Sequence, residues 1–484
     1  MIRTKIIATM GPACADVKTL HELFEAGVDV CRLNFSHGAL ESHLQTLRNI
    51  RQAAMTAQTP IAILGDLGGP KIRLGQVANI DNTGGMPVNN GDTIVIQRQT
   101  IVGQNGRVSA TYSELIDDLR VGDRVLIEDG LLRFTVIEKQ DDEVRLLCGA
   151  GGILKSSKGI NLPNTPVNLP AITERDWECV DWAVENDLDY LGLSFVRRPE
   201  EILELREHLR KKVSDIHLIA KIEKAEAVER IDSIIDAADG LMIARGDLGV
   251  EMDVAQVPII QKDLVRRCQS AGKPVIVATQ MLQSMIDNSS PTRAEVSDVA
   301  NAIFDGADAV MLSGETSVGK NPVLAVRTMA HVAEVTEEYL LQSHINERPA
   351  LKIRTMQFAA AVATGVRQMI GDLNVRLVVV YSQTGATARV FSKSHLAAPI
   401  IALSSDHRAL RRMALHWGVI PHEMPPPRGV GELVYDIDRL VAERNYAPGG
   451  ARIVIVAGSA LGTPGALNGI IIHTLGEHYS TEAE

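Results

Sequence analysis

Cysteine is scarce in this chain of 484 residues, and its five copies are widely spaced. They are Cys14, Cys31, Cys148, Cys179 and Cys268. No two of them stand in C-x-x-C spacing, and an odd number fits no complete disulfide framework. We therefore expect reduced cysteines in a cytosolic setting, most of them packed as small apolar side chains.

The sequence also lacks an excess of positive charge and any long apolar run. Its formal net charge of −11 argues against a nucleic-acid or membrane-surface partner, so any phosphate site must be built locally. No apolar run is long enough to span a bilayer, and the first residues, MIRTKIIATM, lead into a strand pattern without a signal peptide. These features predict a cytoplasmic protein.

Strand-like runs alternate with helical patterns, in a composition poor in aromatic residues (4%) and rich in glycine (39 copies). Helices are predicted between the strands, capped at Asp16, Thr173 and Thr292. Eight βα units with continuous apolar strands predict a (β/α)8 TIM barrel, and a doubly wound sheet is the less favoured alternative. The eight strand runs are residues 4–9, 28–35, 60–66, 189–195, 216–223, 240–244, 274–280 and 308–315.

Two further units interrupt and follow the barrel pattern. Between residues 75 and 169 apolar and polar residues alternate, and the Asp129-Gly130 pair is a strong hairpin signal, so we predict an inserted small β-barrel lid. A C-terminal α/β domain with a five-stranded sheet is predicted from runs at 375–382, 398–404, 419–424, 451–458 and 469–476. The expected domains are 1–74 with 170–344 (catalytic barrel), 75–169 (lid) and 345–484 (regulatory domain).

Charged and hydroxyl side chains follow the barrel strands at their carboxyl ends, where the active sites of such barrels lie. Lys221 and Glu223 alternate onto one side of a predicted strand, and Asp247 follows the next strand. Charges in such places are costly unless they bind something, so two carboxylates and a lysine predict a divalent cation and a phosphate. The other strand ends contribute Arg32, Asn34, Ser36, His37, Asp66, Lys71, Arg73, Arg245, Gly246, Thr279, Gln280, Ser313 and Glu315.

These segments resemble the motifs of the pyruvate kinase family, over essentially the whole chain. The resemblance implies a homotetramer that transfers the phosphoryl group of phosphoenolpyruvate to ADP in glycolysis, giving pyruvate and ATP. The chain begins as bacterial members do, without the helical extension of animal members. The matching segments are TKIIATMGPA (4–13), CRLNFSHG (31–38), GDLGGPKIR (65–73), KGINLP (158–163), AKIEKAEAV (220–228), ARGDLGVE (244–251), GKPVIVATQMLQSM (272–285) and PTRAEVSDVANAIFDGADAVMLSGET (291–316).

The resemblance implies a role for the charged residues of this rim. Glu223 and Asp247 would hold Mg²⁺ or Mn²⁺, which take carboxylate oxygens. Lys221 would stabilise charge on the phosphoryl group in transfer, and Arg32 and Arg73 would clamp that group from other sides.

The remaining substrate contacts are also implied by the resemblance. Backbone N–H groups near Gly246, beside Asp247, would receive the substrate carboxylate, and Thr279 would bind it or the enol side. A chain of hydroxyl groups and water through Thr279 and Ser313 is our hypothesis for the proton path to the enolate, although a turn explains Ser313 equally well. Asp129 faces the site in the family, but hairpin geometry is its stronger explanation. The expected nucleotide contacts are Asn34, His37, Arg73 and Lys158.

The monovalent-cation site departs from the pattern of the K⁺-requiring members. The ligands there match Asn34, Ser36, Asp66 and the next residue, but Leu67 has no side-chain oxygen. Lys71 stands where those members have glutamate, as in the K⁺-independent members. We therefore expect that K⁺ is not required, because the Lys71 ammonium supplies the charge; an exposed lysine without a role is the alternative.

The third domain suggests an effector site at a helix start, where hydroxyl and free N–H groups bind anions. An ordinary strand-to-helix turn explains this sequence equally well. The loop at 458–468 lacks the tryptophan and arginine contacts used for fructose 1,6-bisphosphate, so we expect a sugar monophosphate or AMP as effector, or none. The candidate effector residues are Ser382, Thr384, Gly385, Ala386 and Thr387.

Two other function classes fit a barrel with acids at its strand ends. One is a Mg²⁺-dependent aldolase or lyase acting on pyruvate or oxaloacetate, which needs neither the lid nor the set of Lys221, Arg32 and Arg73. The other is a non-catalytic metabolite sensor, which predicts the loss of residues such as Glu223 or Asp247, and these are retained.

Overall fold

A closed barrel of eight parallel strands forms the centre of the computed structural model, which describes residues 2–79, 83–163, 165–343, 351, 356–458 and 467–477. Each strand pairs with the next along the chain, and the first closes on the eighth with Lys5 opposite Ala309. The predicted TIM barrel is confirmed, and the doubly wound sheet is wrong. The strands are Lys5–Thr9, Val28–Asn34, Ala62–Asp66, Tyr190–Leu193, His217–Ile222, Gly240–Ala244, Val275–Ala278 and Ala309–Leu312.

Helices surround the barrel, and the three predicted N-terminal caps form. Asp16 Oδ1 accepts a hydrogen bond from Thr19 N at 3.0 Å, and Thr173 and Thr292 each form a capping box. No helix within the described ranges has the length and apolar character needed to cross a bilayer. The helices are Val17–Glu25, Leu40–Ala57, Glu174–Glu185, Pro199–Lys211, Ala225–Glu229, Ile231–Ala237, Arg245–Glu251, Val257–Ala271, Arg293–Asp305, Gly314–Ser317 and Pro322–Gln342, with 3-10 turns at Val254–Gln256 and Gln283–Ile286.

The predicted β-rich lid follows the third barrel strand as a six-stranded sheet and a two-stranded sheet. Its predicted hairpin forms, with Ile127 opposite Leu132 and with Asp129 (φ 54°) and Gly130 (φ 83°) in the left-handed turn between them. Strands of two or three residues show no alternation and were not predicted. The lid contains the helix Leu115–Asp118 and strands Met86–Val88, Thr93–Gln97, Arg107–Ser109, Arg124–Ile127, Leu132–Lys139, Glu143–Ala150, Gly152–Leu154 and Ile160–Asn161.

The C-terminal domain contains the predicted five-stranded sheet, whose last strand runs antiparallel to its neighbour. Most of the predicted second effector loop, 459–466, lies outside the described residues. The strands are Leu377–Tyr381, Ile400–Ser404, Val419–Glu423, Arg452–Gly458 and Leu467–Thr474, and the helices are Gln357–Leu373, Ala386–Lys393, His407–Met413 and Val430–Glu443.

The C-terminal domain covers the amino end of the barrel. Leu415 packs into the same apolar cluster as residues inside the barrel, such as Ile219. The fully buried Lys393 pairs with Asp308 at the start of the eighth barrel strand. Because this end is sealed, the charged rim at the opposite, carboxyl end is the side of the barrel that substrates can approach.

Candidate active site

Lys221 lies at the centre of a buried charge network at the end of the fifth barrel strand. Its Nζ is 3.1 Å from Asp66 Oδ1 and 3.1 Å from Glu223 Oε1, and it donates to Ser194 Oγ at 2.6 Å. Burial alone would lower the pKa of Lys221, but the carboxylates of Asp66 and Glu223 outweigh burial and raise that pKa above its ordinary value. Lys221 is therefore a fixed positive charge.

Arg32 joins the same network from the second strand. Its Nε donates to Asp66 Oδ2 at 2.6 Å, and its NH1 donates to Thr9 Oγ1 at 3.0 Å. Burial would raise the pKa of Asp66, but Lys221 and Arg32 lower it below its ordinary value, so the carboxylate stays ionised between two cations. Asp66 thus orients both predicted phosphoryl-binding side chains.

Glu223 and Asp247, the predicted metal ligands, are electrostatic neighbours. Burial raises the pKa of Glu223, Lys221 opposes that rise, and the Asp247 charge adds to it. Asp247 Oδ1 lies 3.7 Å from Lys71 Nζ, so each carboxylate has a lysine beside it.

This pair of carboxylates fits a magnesium-type site. Mg²⁺ is usually held by one or two carboxylates, and its other ligands are water and substrate oxygens. No group of three or more histidine, cysteine, aspartate or glutamate side chains suited to a metal occurs in the part of the chain that the structure describes, so an ion at Glu223 and Asp247 would take its other ligands from elsewhere.

Thr279 meets Gly246 at the end of the seventh strand, as the sequence predicts for two substrate contacts. Gly246 N donates to Thr279 Oγ1 at 2.8 Å. Thr279 (φ 69°) and Gln280 (φ 54°) both adopt the left-handed conformation, which costs about 1–3 kcal/mol for each such residue. Arg245 NH2 donates to the carbonyl oxygens of Thr279 at 2.8 Å and Gln280 at 3.1 Å, and so holds this strained turn.

The residues that match the monovalent-cation site are placed around the second and third strands. Asn34 Oδ1 accepts a hydrogen bond from Ser36 N at 3.2 Å, and Leu67 is buried in the barrel's outer core. Lys71 runs along the lid, where a Cβ at Gly159 would lie 2.8 Å from Lys71 Cε. A larger residue at position 159 would push the end of the Lys71 side chain aside.

Two of the predicted nucleotide contacts, Arg73 and Lys158, make their contacts with lid residues. Arg73 NH1 donates to the carbonyl oxygen of Ser157 at 3.1 Å, and Lys158 Nζ lies 2.7 Å from Glu128 Oε1. His37 is exposed at the end of the second strand. Arg73 therefore contacts the lid, and its predicted place in the phosphoryl clamp stays a prediction.

Ser313 lies at the end of the eighth strand, where its backbone N–H donates to Glu315 Oε2 at 2.7 Å. Among the described residues it makes no hydrogen bond to Thr279, its partner in the predicted proton path. That path stays a prediction as well.

The candidate effector loop forms a strand-to-helix turn in the C-terminal domain. Ser382 Oγ accepts a weak hydrogen bond from Ala388 N at 3.4 Å, and Gly385 (φ 78°) precedes the helix that begins at Ala386. Thr384 is exposed, and Ala386 and Thr387 are partly exposed in the first turn. The loop thus has hydroxyl and backbone N–H groups near an accessible helix start.

Two contacts of the site were not predicted from the sequence. Ser194, which binds Lys221, and Thr9, which binds Arg32, are ordinary hydroxyl residues. Their only signal is position, because Thr9 ends the first barrel strand and Ser194 directly follows the fourth.

Comparison with known proteins gives matches along most of the chain. The family model for the pyruvate kinase barrel domain matches residues 1–326, and that for the pyruvate kinase alpha/beta domain matches residues 360–473. A pyruvate kinase of Geobacillus stearothermophilus is 42% identical over 98% of this chain and 81% of its own length. A pyruvate kinase of Mycobacterium intracellulare is 39% identical over 98% of this chain and 99% of its own length. A solved pyruvate kinase structure from Cryptosporidium parvum superimposes with a TM-score of 0.89 at 34% identity, covering 98% of this chain and 96% of that one.

Proposed function

Because the chain belongs to the pyruvate kinase family, we propose that the residues around Lys221 perform that family's reaction in the roles described below. The enzyme transfers the phosphoryl group of phosphoenolpyruvate to ADP, giving pyruvate and ATP. The aldolase, lyase and sensor alternatives lose their support with this membership. The observation that carries the assignment of roles is the network of Lys221, Arg32, Asp66 and Glu223 at the open end of the barrel.

Family membership implies dependence on a divalent metal ion, and we assign Mg²⁺ or Mn²⁺ to Glu223 and Asp247. When bound, such an ion neutralises negative charge on the substrate's carboxylate and phosphoryl oxygens. Burial is the main cause of the raised pKa of Glu223, and the charge of Asp247 adds to it, so a cation between the two carboxylates would stabilise both of them in the ionised form.

Lys221 and Arg32 stabilise the charge on the transferring phosphoryl group. Phosphoryl transfer is catalysed mainly by positioning and by electrostatic stabilisation of the equatorial oxygens. Asp66 and Ser194 hold Lys221 before substrate arrives, so little reorganisation is needed during the reaction. Arg73 completes the clamp from the lid side.

Thr279 and Gly246 take the other end of the substrate. The Gly246 N–H lies at the start of the helix Arg245–Glu251, where N–H groups and the helix dipole favour a carboxylate. This N–H donates to Thr279 Oγ1 at 2.8 Å, so the N–H and the hydroxyl lie close enough to bind one carboxylate together. A chain of hydroxyl groups and water through Thr279 and Ser313 relays a proton from solvent to the enolate carbon.

ADP binds between the barrel and the lid, on Asn34, His37, Arg73 and Lys158. The ion pair of Lys158 with Glu128 keeps that ammonium near the lid hairpin until a phosphate replaces the carboxylate. Lid closure then excludes water from the transferring phosphoryl group.

The enzyme does not require K⁺, because Lys71 brings a permanent charge to the rim. Three observations support this proposal: Leu67 is buried and has no side-chain oxygen, Asp66 is already neutralised by two cations, and Lys71 Nζ lies 3.7 Å from Asp247. Turnover with Mg²⁺ in tetramethylammonium buffer tests it directly. A fall of about 100-fold on removing K⁺, equal to about 2.7 kcal/mol of barrier, would refute it.

Regulation and assembly complete the proposal. A sugar monophosphate or AMP binds at Ser382 and Thr384–Thr387, the active enzyme is a homotetramer, and the domain limits are those expected from the sequence. Rates at low phosphoenolpyruvate with glucose 6-phosphate, ribose 5-phosphate, AMP and fructose 1,6-bisphosphate test the effector. Activation by the bisphosphate alone would contradict it.

The reaction itself is tested by ADP-dependent pyruvate formation, coupled to lactate dehydrogenase. The assignment predicts pyruvate only when ADP and a divalent ion are both present. Pyruvate formed at the same rate without ADP would instead indicate a lyase.

A further inference from the structure

Glu251, at the end of the helix that carries Asp247, joins three parts of the molecule. Its Oε1 accepts a hydrogen bond from Lys224 Nζ at 2.6 Å and another from Asn161 Nδ2 at 2.9 Å. Lys224 directly follows Glu223, whereas Asn161 belongs to the last strand of the lid. We call Asn161, Lys224 and Glu251 the lid bridge.

Two members of the lid bridge are buried, and the third, Lys224, is partly exposed. Glu251 is 4% exposed and Asn161 is 5% exposed. A buried carboxylate left without its cation is strongly destabilised, so Glu251 depends on Lys224. Asn161 Oδ1 has no hydrogen-bond partner among the residues described, so the bond from Nδ2 to Glu251 is what orients this amide.

A second contact links the lid to the same helix end. A Cβ placed on Gly130, in the turn of the lid hairpin, would lie 3.8 Å from Val250 Cγ1. The turn of the lid hairpin therefore lies close to Val250, and the lid hydrogen-bonds to Glu251, one helical turn beyond Asp247. A shift of the lid strand that carries Asn161 would strain or break its buried hydrogen bond to Glu251, and would so act on the helix that carries Asp247.

We propose that Glu251 is a positioning residue that couples the lid to the spacing of Glu223 and Asp247. Glu251 is bound to the residue after Glu223, and it lies on the helix of Asp247, so it fixes both carboxylates relative to each other. Its bond to Asn161 fixes the lid on the same point. The inference rests on the proposed metal site.

Three variants separate the two arms of the lid bridge. Lys224→Met removes the bond between Lys224 and Glu251, which we call the metal arm. Asn161→Ala removes the bond between Asn161 and Glu251, which we call the lid arm. Glu251→Gln weakens both bonds and keeps the shape of the side chain. We expect the dissociation constant for Mn²⁺, measured by electron paramagnetic resonance without substrate, to rise about tenfold in the first and third variants. The KM for ADP is expected to rise about tenfold in the second and third, with faster amide exchange in the lid.

A matched control is Asp29→Asn, which breaks another lysine–carboxylate pair, Lys5 with Asp29 at 3.0 Å, at the opposite end of the barrel. It is expected to lower the thermal midpoint without changing Mn²⁺ affinity or the KM for ADP. Equal changes in this control, or unchanged constants in all three bridge variants, would overturn the inference.

Glu223→Gln distinguishes this inference from the proposed metal site. If that variant loses Mn²⁺ affinity while Glu251→Gln and Lys224→Met keep it, the metal arm of the lid bridge is wrong and the metal site stands. If Glu223→Gln binds Mn²⁺ like the unaltered enzyme, the metal site is wrong, and the metal arm falls with it.

Discussion

Replacing Asp66 by asparagine tests whether one buried carboxylate organises the phosphoryl-binding cations. Asp66 lies 3.1 Å from Lys221 Nζ and 2.6 Å from Arg32 Nε, and all three side chains are buried. Removing one charge from a buried network costs about 3–5 kcal/mol of unfolding free energy. Because Lys221 and Arg32 then repel each other without a shared partner, we also expect a displacement of about 1 Å and a loss of about 100-fold in kcat.

The assay is ADP-dependent pyruvate formation at saturating substrate, well below the thermal midpoint of each variant. The control is Asp308→Asn, because Asp308 is equally buried and lysine-paired, with Lys393, but lies at the amino end of the barrel. The control should lose stability and keep its kcat. If Asp66→Asn loses no more kcat than Asp308→Asn, the network of Asp66 has no special role in catalysis.

Three further perturbations test other parts of the account. Lys221→Met should lower kcat by about 1,000-fold while Mn²⁺ still binds, because it removes charge stabilisation of the transferring group; a loss under tenfold would contradict its role. Arg245→Lys should lower kcat/KM for phosphoenolpyruvate about tenfold, because one ammonium cannot replace the guanidinium that holds Thr279 and Gln280 in their strained turn. Unchanged kinetics would show that the turn keeps its conformation without Arg245. Burial lowers the pKa of His217 to about 4, so the unfolded chain binds a proton first as pH falls from 6.5 to 4. Between pH 6.5 and 4, the free energy of unfolding should therefore fall by about 3 kcal/mol less in His217→Gln than in the unaltered protein, as measured by denaturant titration.

Most of the fold could be predicted because its elements are long and regular. Eight apolar runs predicted the barrel, and alternation between residues 75 and 169 predicted the lid. The lid strand Ile160–Asn161, which supplies Asn161 to the lid bridge, was missed because a strand of two residues is too short to show a period. The docking of the C-terminal domain on the amino end of the barrel depends on tertiary contacts such as Lys393 with Asp308, which leave no local pattern.

The site residues that could be predicted from the sequence are charged side chains at the ends of barrel strands. Lys221, Glu223, Arg32 and Asp66 were predicted at this rim, and they form one network. Asp66 was expected only at the monovalent-cation position, since nothing in the sequence shows that one carboxylate contacts two cations from other strands. Partners that come from distant elements, such as the lid's Asn161 for Glu251, cannot be read from local spacing.

The direct test of the central claim is the rate of the unaltered enzyme and of Lys71→Gln with and without K⁺. Lys71 Nζ lies 3.7 Å from Asp247 with both side chains partly exposed, so we expect its charge to contribute about 1 kcal/mol after screening, or about fivefold in rate. The account predicts an unaltered enzyme that is indifferent to K⁺ and a variant that loses rate without K⁺ and regains part of it when K⁺ is added. An unaltered enzyme that needs K⁺, or a variant that keeps its full rate without K⁺, would contradict it.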